Sequence, residues 1–293
     1  MAEAHARAAG RPPRERIVIK PHRGWLAVNW RELWQHRELL YFLTWRDIKV
    51  RYKQTVLGAL WAVLQPFAAM VVLTIIFQKV LGVEQKLMGA EAGKVPYAVL
   101  LYAGMLPWQF FRKAVGRSST SLVSDAPLIS KVYFPRLIIP IASVGSAVVD
   151  FLLSLIVLVG IMAYYRIMPG AKALAVVPLA CAVPVAALGV GSLLGALEVA
   201  YRDARYVLNF VLSMWYFITP VLWSYNVLAD TWWRPLVALN PICGILEAFR
   251  SALLPGRPFN WTALAISLGS AVVLFLVGLH CFRRLERQFA DVI

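Results

Sequence analysis

The chain has 293 residues, 60% of them apolar and only 15% charged, with a formal net charge of +15. A soluble domain carries about 45–50% apolar and about 25% charged residues, so a soluble globular protein is excluded. The basic residues lie between long apolar runs rather than along one patch, so the charge argues for membrane orientation and against nucleic acid.

Residues 1–28 are polar and rich in Arg and Pro. They lack the short apolar core of a signal peptide and are expected to form a cytoplasmic, partly disordered N-terminus. Residues 29–54 are too charged to span. At helical spacing Trp30, Trp34, Tyr41, Trp45, Ile48 and Tyr52 share one side, and most charges face the other way. This pattern predicts an amphipathic helix at the membrane interface, with its rings at headgroup level. Arg37 interrupts the stripe, and residues 39–43 are apolar all round, so a bend is expected there. The helix is either a plain anchor or a gate at the inner mouth of a pathway.

Six apolar segments follow: Val56–Leu81, Tyr97–Phe111, Leu137–Tyr165, Ala173–Leu197, Val207–Ser224 and Trp261–Phe282. A spanning helix needs about 20 residues. The second segment is short and must borrow from Arg112 to Gly116, whose cations would snorkel. The expected fold is an all-α integral membrane domain over residues 55–282, with six transmembrane helices and a cytoplasmic tail at 283–293. Pro66, Pro107, Pro184 and Pro220 lie inside segments, and each frees a carbonyl that a neighbour must satisfy.

With the N-terminus inside, the inner regions hold 22 Lys and Arg residues and the outer loops hold 7. Lys and Arg prefer the cytoplasmic side, so both termini and residues 112–136 are expected to be cytoplasmic. The last outer region, 225–260, is too long for a simple loop. Asn240-Pro241 suits a helix start. Ile242, Ile245, Leu246, Phe249 and Leu253 then form an apolar stripe, ended by Pro255-Gly256. Short helices returning into the outer membrane over 225–258 are expected, either capping a pathway or lying on the outer leaflet.

Catalytic motifs are missing. The four histidines have no zinc spacing, and there is neither a G-x-S-x-G elbow nor a Walker A loop. Cys181, Cys243 and Cys281 show no pairing or metal pattern. No metal and no catalytic residue is expected. Asp150 is the one clear charge inside a segment. Such a group is a functional candidate by default, though a structural hydrogen bond to another helix explains it as well. Its isolation argues against an ion-driven pump.

Aromatic residues make up 12% of the chain. Trp61, Phe67, Trp108, Phe110, Trp215, Tyr216 and Phe217 lie deep in the segments. Ring faces stack on the apolar faces of sugars, so these residues are candidates for a glycan path. Packing and lipid contact are the competing explanation for each ring. The inner loop, within 117–136, is bounded by Pro127, Pro135 and Pro140. It reads either as a rigid knob built to dock into a partner or as a plain connector.

Leu128-Ile-Ser-Lys-Val-Tyr-Phe-Pro-Arg136 closely resembles the loop of membrane subunits of ABC type 2 polysaccharide exporters. Arg46-Asp-Ile-Lys-Val-Arg-Tyr-Lys-Gln-Thr-Val-Leu-Gly58, with Leu60-Trp61 and Gln65-Pro66, resembles that family's entry into its first span. Tyr201-Arg-Asp203, Thr219-Pro-Val221 and Asn240-Pro241 are further matches, and the resemblance covers roughly residues 30 to 290. Asp125 stands where the family usually has Asn.

The resemblance implies a homodimer in the bacterial inner membrane, with two copies of a separate ABC ATP-binding subunit. This chain would bind no cofactor, and ATP and Mg would sit on the partner. The substrate would be a lipid-linked polysaccharide of the O-antigen, capsule or teichoic acid type. Asp125, Pro127, Leu128, Ile129, Lys131, Val132, Tyr133, Phe134, Pro135 and Arg136 would form the coupling loop, and the interfacial helix would guide the lipid head group. A membrane-embedded acyl- or glycosyltransferase and an ABC type 2 exporter of lipid or drug are the competing readings.

Overall fold

The computed structural model describes residues 30–53, 58, 60–89, 93–129, 131–132, 134–201 and 203–286. The expected disordered N-terminus and the end of the tail lie outside the described residues, as do Ser130, Tyr133 and Arg202. Among the described residues there is no strand, only helices and their connections.

The interfacial segment forms two helices, α1 (Trp30–Gln35) and α2 (Arg37–Lys53). The break falls at His36, beside the residue that interrupts the aromatic stripe. Next come α3 (Leu60–Thr74), whose last turns widen into a π-helix at Ile75–Val80, and the short α4 (Glu84–Met88). The long α5 (Tyr97–Ser124) leads through α6 (Ala126–Ile129) into α7 (Ile138–Tyr164). A 3-10 turn at Ala171–Ala175 opens α8 (Val176–Ala200), followed by α9 (Ala204–Ile218). A second 3-10 turn (Tyr225–Leu228), α10 (Arg234–Ala238), α11 (Cys243–Leu253) and α12 (Trp261–Glu286) complete the described chain.

Four stretches among the described residues are long and apolar enough to cross a membrane: Leu60–Val80, Ile138–Tyr164, Ala171–Val199 and Trp261–Leu285. They coincide with the first, third, fourth and sixth expected segments. The second segment is longer than expected. α5 runs on past Phe111 for 28 residues in all, so Arg112, Lys113 and Arg117 ride on a continuous helix rather than in a loop. The fifth is shorter. α9 ends at Ile218 after 15 residues, about 22 Å at 1.5 Å each, instead of continuing to Ser224. Pro220 explains the stop. The residue before a proline is driven out of the α region, and Thr219 is extended at φ −76°, ψ 139°.

α5 is the central helix. Residues 97–108 are buried all round, from Tyr97 to Trp108, and α5 packs on α7, α8, α11 and α3. α8 and α12 come together where Gly189 meets Gly278: a Cβ on either would overlap the other helix's backbone. Pro66, inside α3, has no N–H for the carbonyl of Ala62. The single proton of the Ser154 hydroxyl on α7 can go to that oxygen at 3.3 Å or to the Asp150 carbonyl of its own helix at 2.9 Å.

Candidate functional site: the 125–136 loop and its mounting

Asp125 sits at a vertex. Its N–H donates to the Ser121 carbonyl at 3.0 Å and closes α5, while its own carbonyl accepts from Leu128 at 2.9 Å and Ile129 at 3.1 Å and opens α6. Pro127 lies in the first turn of α6, where its missing N–H costs nothing. Past α6 the chain turns by Val132 N–H to Leu128 O at 3.1 Å, and Pro135 accepts from Ile138 at 3.0 Å at the start of α7.

The loop does not hang free. Leu43 of α2 and Phe134, Ile138, Ile139 and Ala142 of the loop and α7 form one buried cluster, against which Leu33, Leu39, Leu40, Leu128 and Ile129 pack. Leu128 and Ile129, which the resemblance puts in the coupling loop, are therefore half-buried within the chain. Pro127, Lys131 and Val132 are exposed, with Val132 at 52%. Pro135 and Arg136 are half-buried.

α2 is apolar on two sides rather than amphipathic in the simple sense. Leu39, Leu40 and Leu43 face the chain. Trp34 of α1 and Tyr41, Phe42 and Trp45 of α2 turn outward, with Trp34 at 71% exposure. Outward rings suit a lipid interface. The side chain of Trp30 lies outside the described residues. Tyr52, expected among the interfacial rings, instead turns inward and donates to Asp150.

Asp150 is not isolated, which corrects the sequence-based expectation. Its carboxylate accepts from Arg117 at 2.5 Å and Arg51 at 2.9 Å, lies 3.3 Å from Lys113 Nζ, and takes the Tyr52 hydroxyl on its other oxygen. Arg117 also donates to Ser146 Oγ at 2.7 Å. The surplus of cations arises because α5 continues past Phe111 and because α2 ends beside α7. A second ionic group lies nearby. Arg46 donates to Asp47 at 2.9 Å and to Asp125 at 2.8 Å, and the bond to Asp125 is the main cause of its raised pKa. Between the two groups, α2, α5 and α7 border an open cleft of about 380 Å³. Arg46, Arg51, Arg117, Ser121, Ser124 and Ser143 are among its lining residues. Among the described residues no group of three His, Cys, Asp or Glu side chains is placed to hold a metal.

The candidate aromatics separate by burial, with Trp215 and Tyr216 half-buried between two extremes. Trp108 and Phe110 are sealed inside the chain, with Trp108 at 1% exposure. Trp108 meets Phe111 and Tyr216 at 5.8 Å each, Phe111 meets Trp215 at 5.5 Å, and Phe110 stacks on Phe151 at 4.9 Å. These rings bind the bundle together, and Trp108 and Phe110 are not on any surface of the subunit. Trp61, Phe67 and Phe217 are exposed. Trp108→Ala is therefore expected to destabilise the subunit by about 3–5 kcal/mol, visible as a lower melting temperature in detergent. Trp61→Ala and Phe217→Ala should lower the melt far less, because both rings are more than half exposed. A Trp108→Ala variant that melts like the parent would return this ring to the candidate pathway.

At the opposite end of the bundle, α11 is buried on every side, including Glu247 and Arg250. This differs from the two-faced helix expected from its stripe. Arg250 donates to four carbonyls: Leu100 at 3.1 Å, Pro220 at 2.7 Å, Val221 at 2.6 Å and Trp223 at 3.0 Å. Three of these belong to the irregular chain after α9, whose carbonyls have no helical partners. Glu247 accepts from Arg250 at 2.9 Å, from Arg257 at 2.7 Å and from the Tyr225 N–H at 3.0 Å. Asn240 caps the approach to α11, accepting the Ile242 N–H at 3.2 Å and donating to Thr219 Oγ1 at 2.7 Å. No charge pattern announced this cluster. The only signals were an acid and a base three residues apart in a segment otherwise suited to burial.

The profile of the ABC-2 type transporter family matches residues 38–254, which include the loop, its mounting and most of the far-end cluster. An O-antigen export system permease protein RfbA of Klebsiella pneumoniae is 27% identical over 87% of this chain and 95% of its own length. An RfbA of the same name from Myxococcus xanthus is 28% identical over 90% and 98%. A polysialic acid transport protein KpsM of Escherichia coli is 23% identical over 82% and 91%.

Proposed function

The chain belongs to the ABC-2 type transporter family, and from that premise we propose that it is the membrane subunit of an ATP-driven exporter of a lipid-linked polysaccharide. The observation that carries the substrate class is the near end-to-end similarity to relatives named for O-antigen export and polysialic acid transport. The working assembly is a homodimer in the bacterial inner membrane with one ATP-binding subunit on each protomer. α5 and α9 complete six spans, and both termini and the 125–136 loop are cytoplasmic, in line with the Lys and Arg bias. ATP is hydrolysed by the partner, because this chain has no phosphate-cradling loop. The exposed face of the loop, Pro127, Lys131 and Val132, docks in the partner, and the exposed rings Trp61, Phe67 and Phe217 contact glycan or the second protomer.

The test is export of the native polysaccharide in cells whose own copy is deleted. The parent should restore surface polysaccharide. Val132→Asp should abolish it, because an exposed apolar contact is replaced by a charge that must be desolvated on docking. The variant should still insert and melt normally, since Val132 is 52% exposed. Normal export by Val132→Asp would remove the loop from the docking surface. Accumulation of full-length glycan at the surface of cells lacking the chain would remove the substrate class. The purified chain alone should show no ATP hydrolysis.

A further inference from the structure

We propose that Arg46 is a positioning residue: its bond to Asp125 makes α2 and the 125–136 loop move as one body. The inference rests on the docking role given to the loop above and adds what happens on the membrane side of it. Three observations carry it.

The first is where the bond attaches. Asp125 is the single residue that ends α5 and starts α6, so a force on its side chain acts on the loop's pivot. Its carboxylate is largely buried, at 15% exposure. The second is orientation. Asp47 holds the same guanidinium through Nε at 3.1 Å and Nη2 at 2.9 Å, which leaves Arg46 aimed at Asp125 without a search through rotamers. The third is that the bond has an apolar companion. Leu39, Leu40 and Leu43 of α2 share a cluster with Leu128, Ile129 and Phe134, so helix and loop are joined at two points and cannot rotate about one.

The far end of α2 is fixed differently. Arg51 and Tyr52 reach Asp150, halfway along α7. One helix thus spans from the loop's pivot to the interior of the bundle. A push on the loop moves α2 and is delivered to the Asp150 group. Without the Arg46 bond, the loop could still seat in its partner while α2 stayed behind.

Charge exchange in the complete transporter, in membranes, tests this. Arg46→Asp puts three carboxylates together, and Asp125→Arg puts two guanidinium groups together. Each single change should lower export by about tenfold or more, the size of an ordinary coupling effect. ATP hydrolysis by the Arg46→Asp complex should persist, because Arg46 lies on α2, outside the docking loop. The double change Arg46→Asp with Asp125→Arg restores an opposite pair at the same place and should recover most of the export. A cysteine pair at Leu40 and Leu128 should cross-link less readily in the singles and recover in the double. Normal export in both singles would overturn the proposal, and so would a double variant as defective as its parents. The docking reading fails separately, by normal export of Val132→Asp, which leaves Arg46 and Asp125 untouched.

Discussion

Replacing Arg250 by Met should leave little folded protein to purify. The side chain is fully buried and donates to four backbone carbonyls and to Glu247. A methionine fills similar volume but makes none of these bonds. Among the described residues Glu247 would then keep only Arg257 as a cationic partner, and the chain after α9 would lose the donor that satisfies it. Removing one member of a buried ionic group costs about 3–5 kcal/mol, a large share of the roughly 5–15 kcal/mol that holds a domain together. Arg250→Lys should recover little, because an ammonium cannot reproduce the fork that serves Pro220, Val221 and Trp223. Gly104→Ala should mimic the defect from the other side, since a Cβ at 104 would overlap the guanidinium. Size-exclusion profiles and thermal melts in detergent report all three. A monodisperse Arg250→Met protein with the parent's melting temperature would show that the cluster is not what holds α11 in place.

How far these features could be read in advance differs from residue to residue. The third and sixth segments were legible nearly to the residue: Leu137–Tyr165 became Ile138–Tyr164, and Trp261–Phe282 became Trp261–Glu286. Long apolar runs leave the backbone no other way to satisfy itself in lipid. The second segment was cut short because hydropathy drops at Arg112, Lys113 and Arg117. A helix continues through such residues when another element offers a counter-charge, and Asp150 does so from thirty-odd positions away. That pairing depends on how α5 and α7 face each other, which periodicity within one segment does not contain. The same reason hid the role of Arg250, which in a count of loop cations looks like Arg234. Trp61 and Trp108 have equal claims as rings within apolar segments. Only packing shows that one faces outward and the other is sealed beneath Tyr216.

Asp150→Asn should be the most damaging conservative change in the loop half of the molecule. The amide keeps the size and one acceptor oxygen, so lost packing is not the issue. What changes is that Arg117, Lys113 and Arg51, at 16%, 23% and 44% side-chain exposure, face one another with no carboxylate between them. Two of these cations are largely out of water, where like charges are costly. The loss should approach the about 3–5 kcal/mol seen when one partner of a buried ion group is removed, and the Arg51 end of α2 should loosen from α7 while the Leu43 cluster still holds the rest. The remedy follows from the cause. If the defect is uncompensated cations, removing one of them should help, so Asp150→Asn combined with Arg117→Gln should melt higher than Asp150→Asn alone. A carboxylate kept for carrying protons would behave in the opposite way. Asp150→Asn would then fold normally and fail only in export, and no second change at Arg117 would improve it. The order of melting temperatures among the parent, the single and the double variant therefore decides between a structural ion group and a proton site. The placement of three cations and a tyrosine on this one carboxylate favours the ion group.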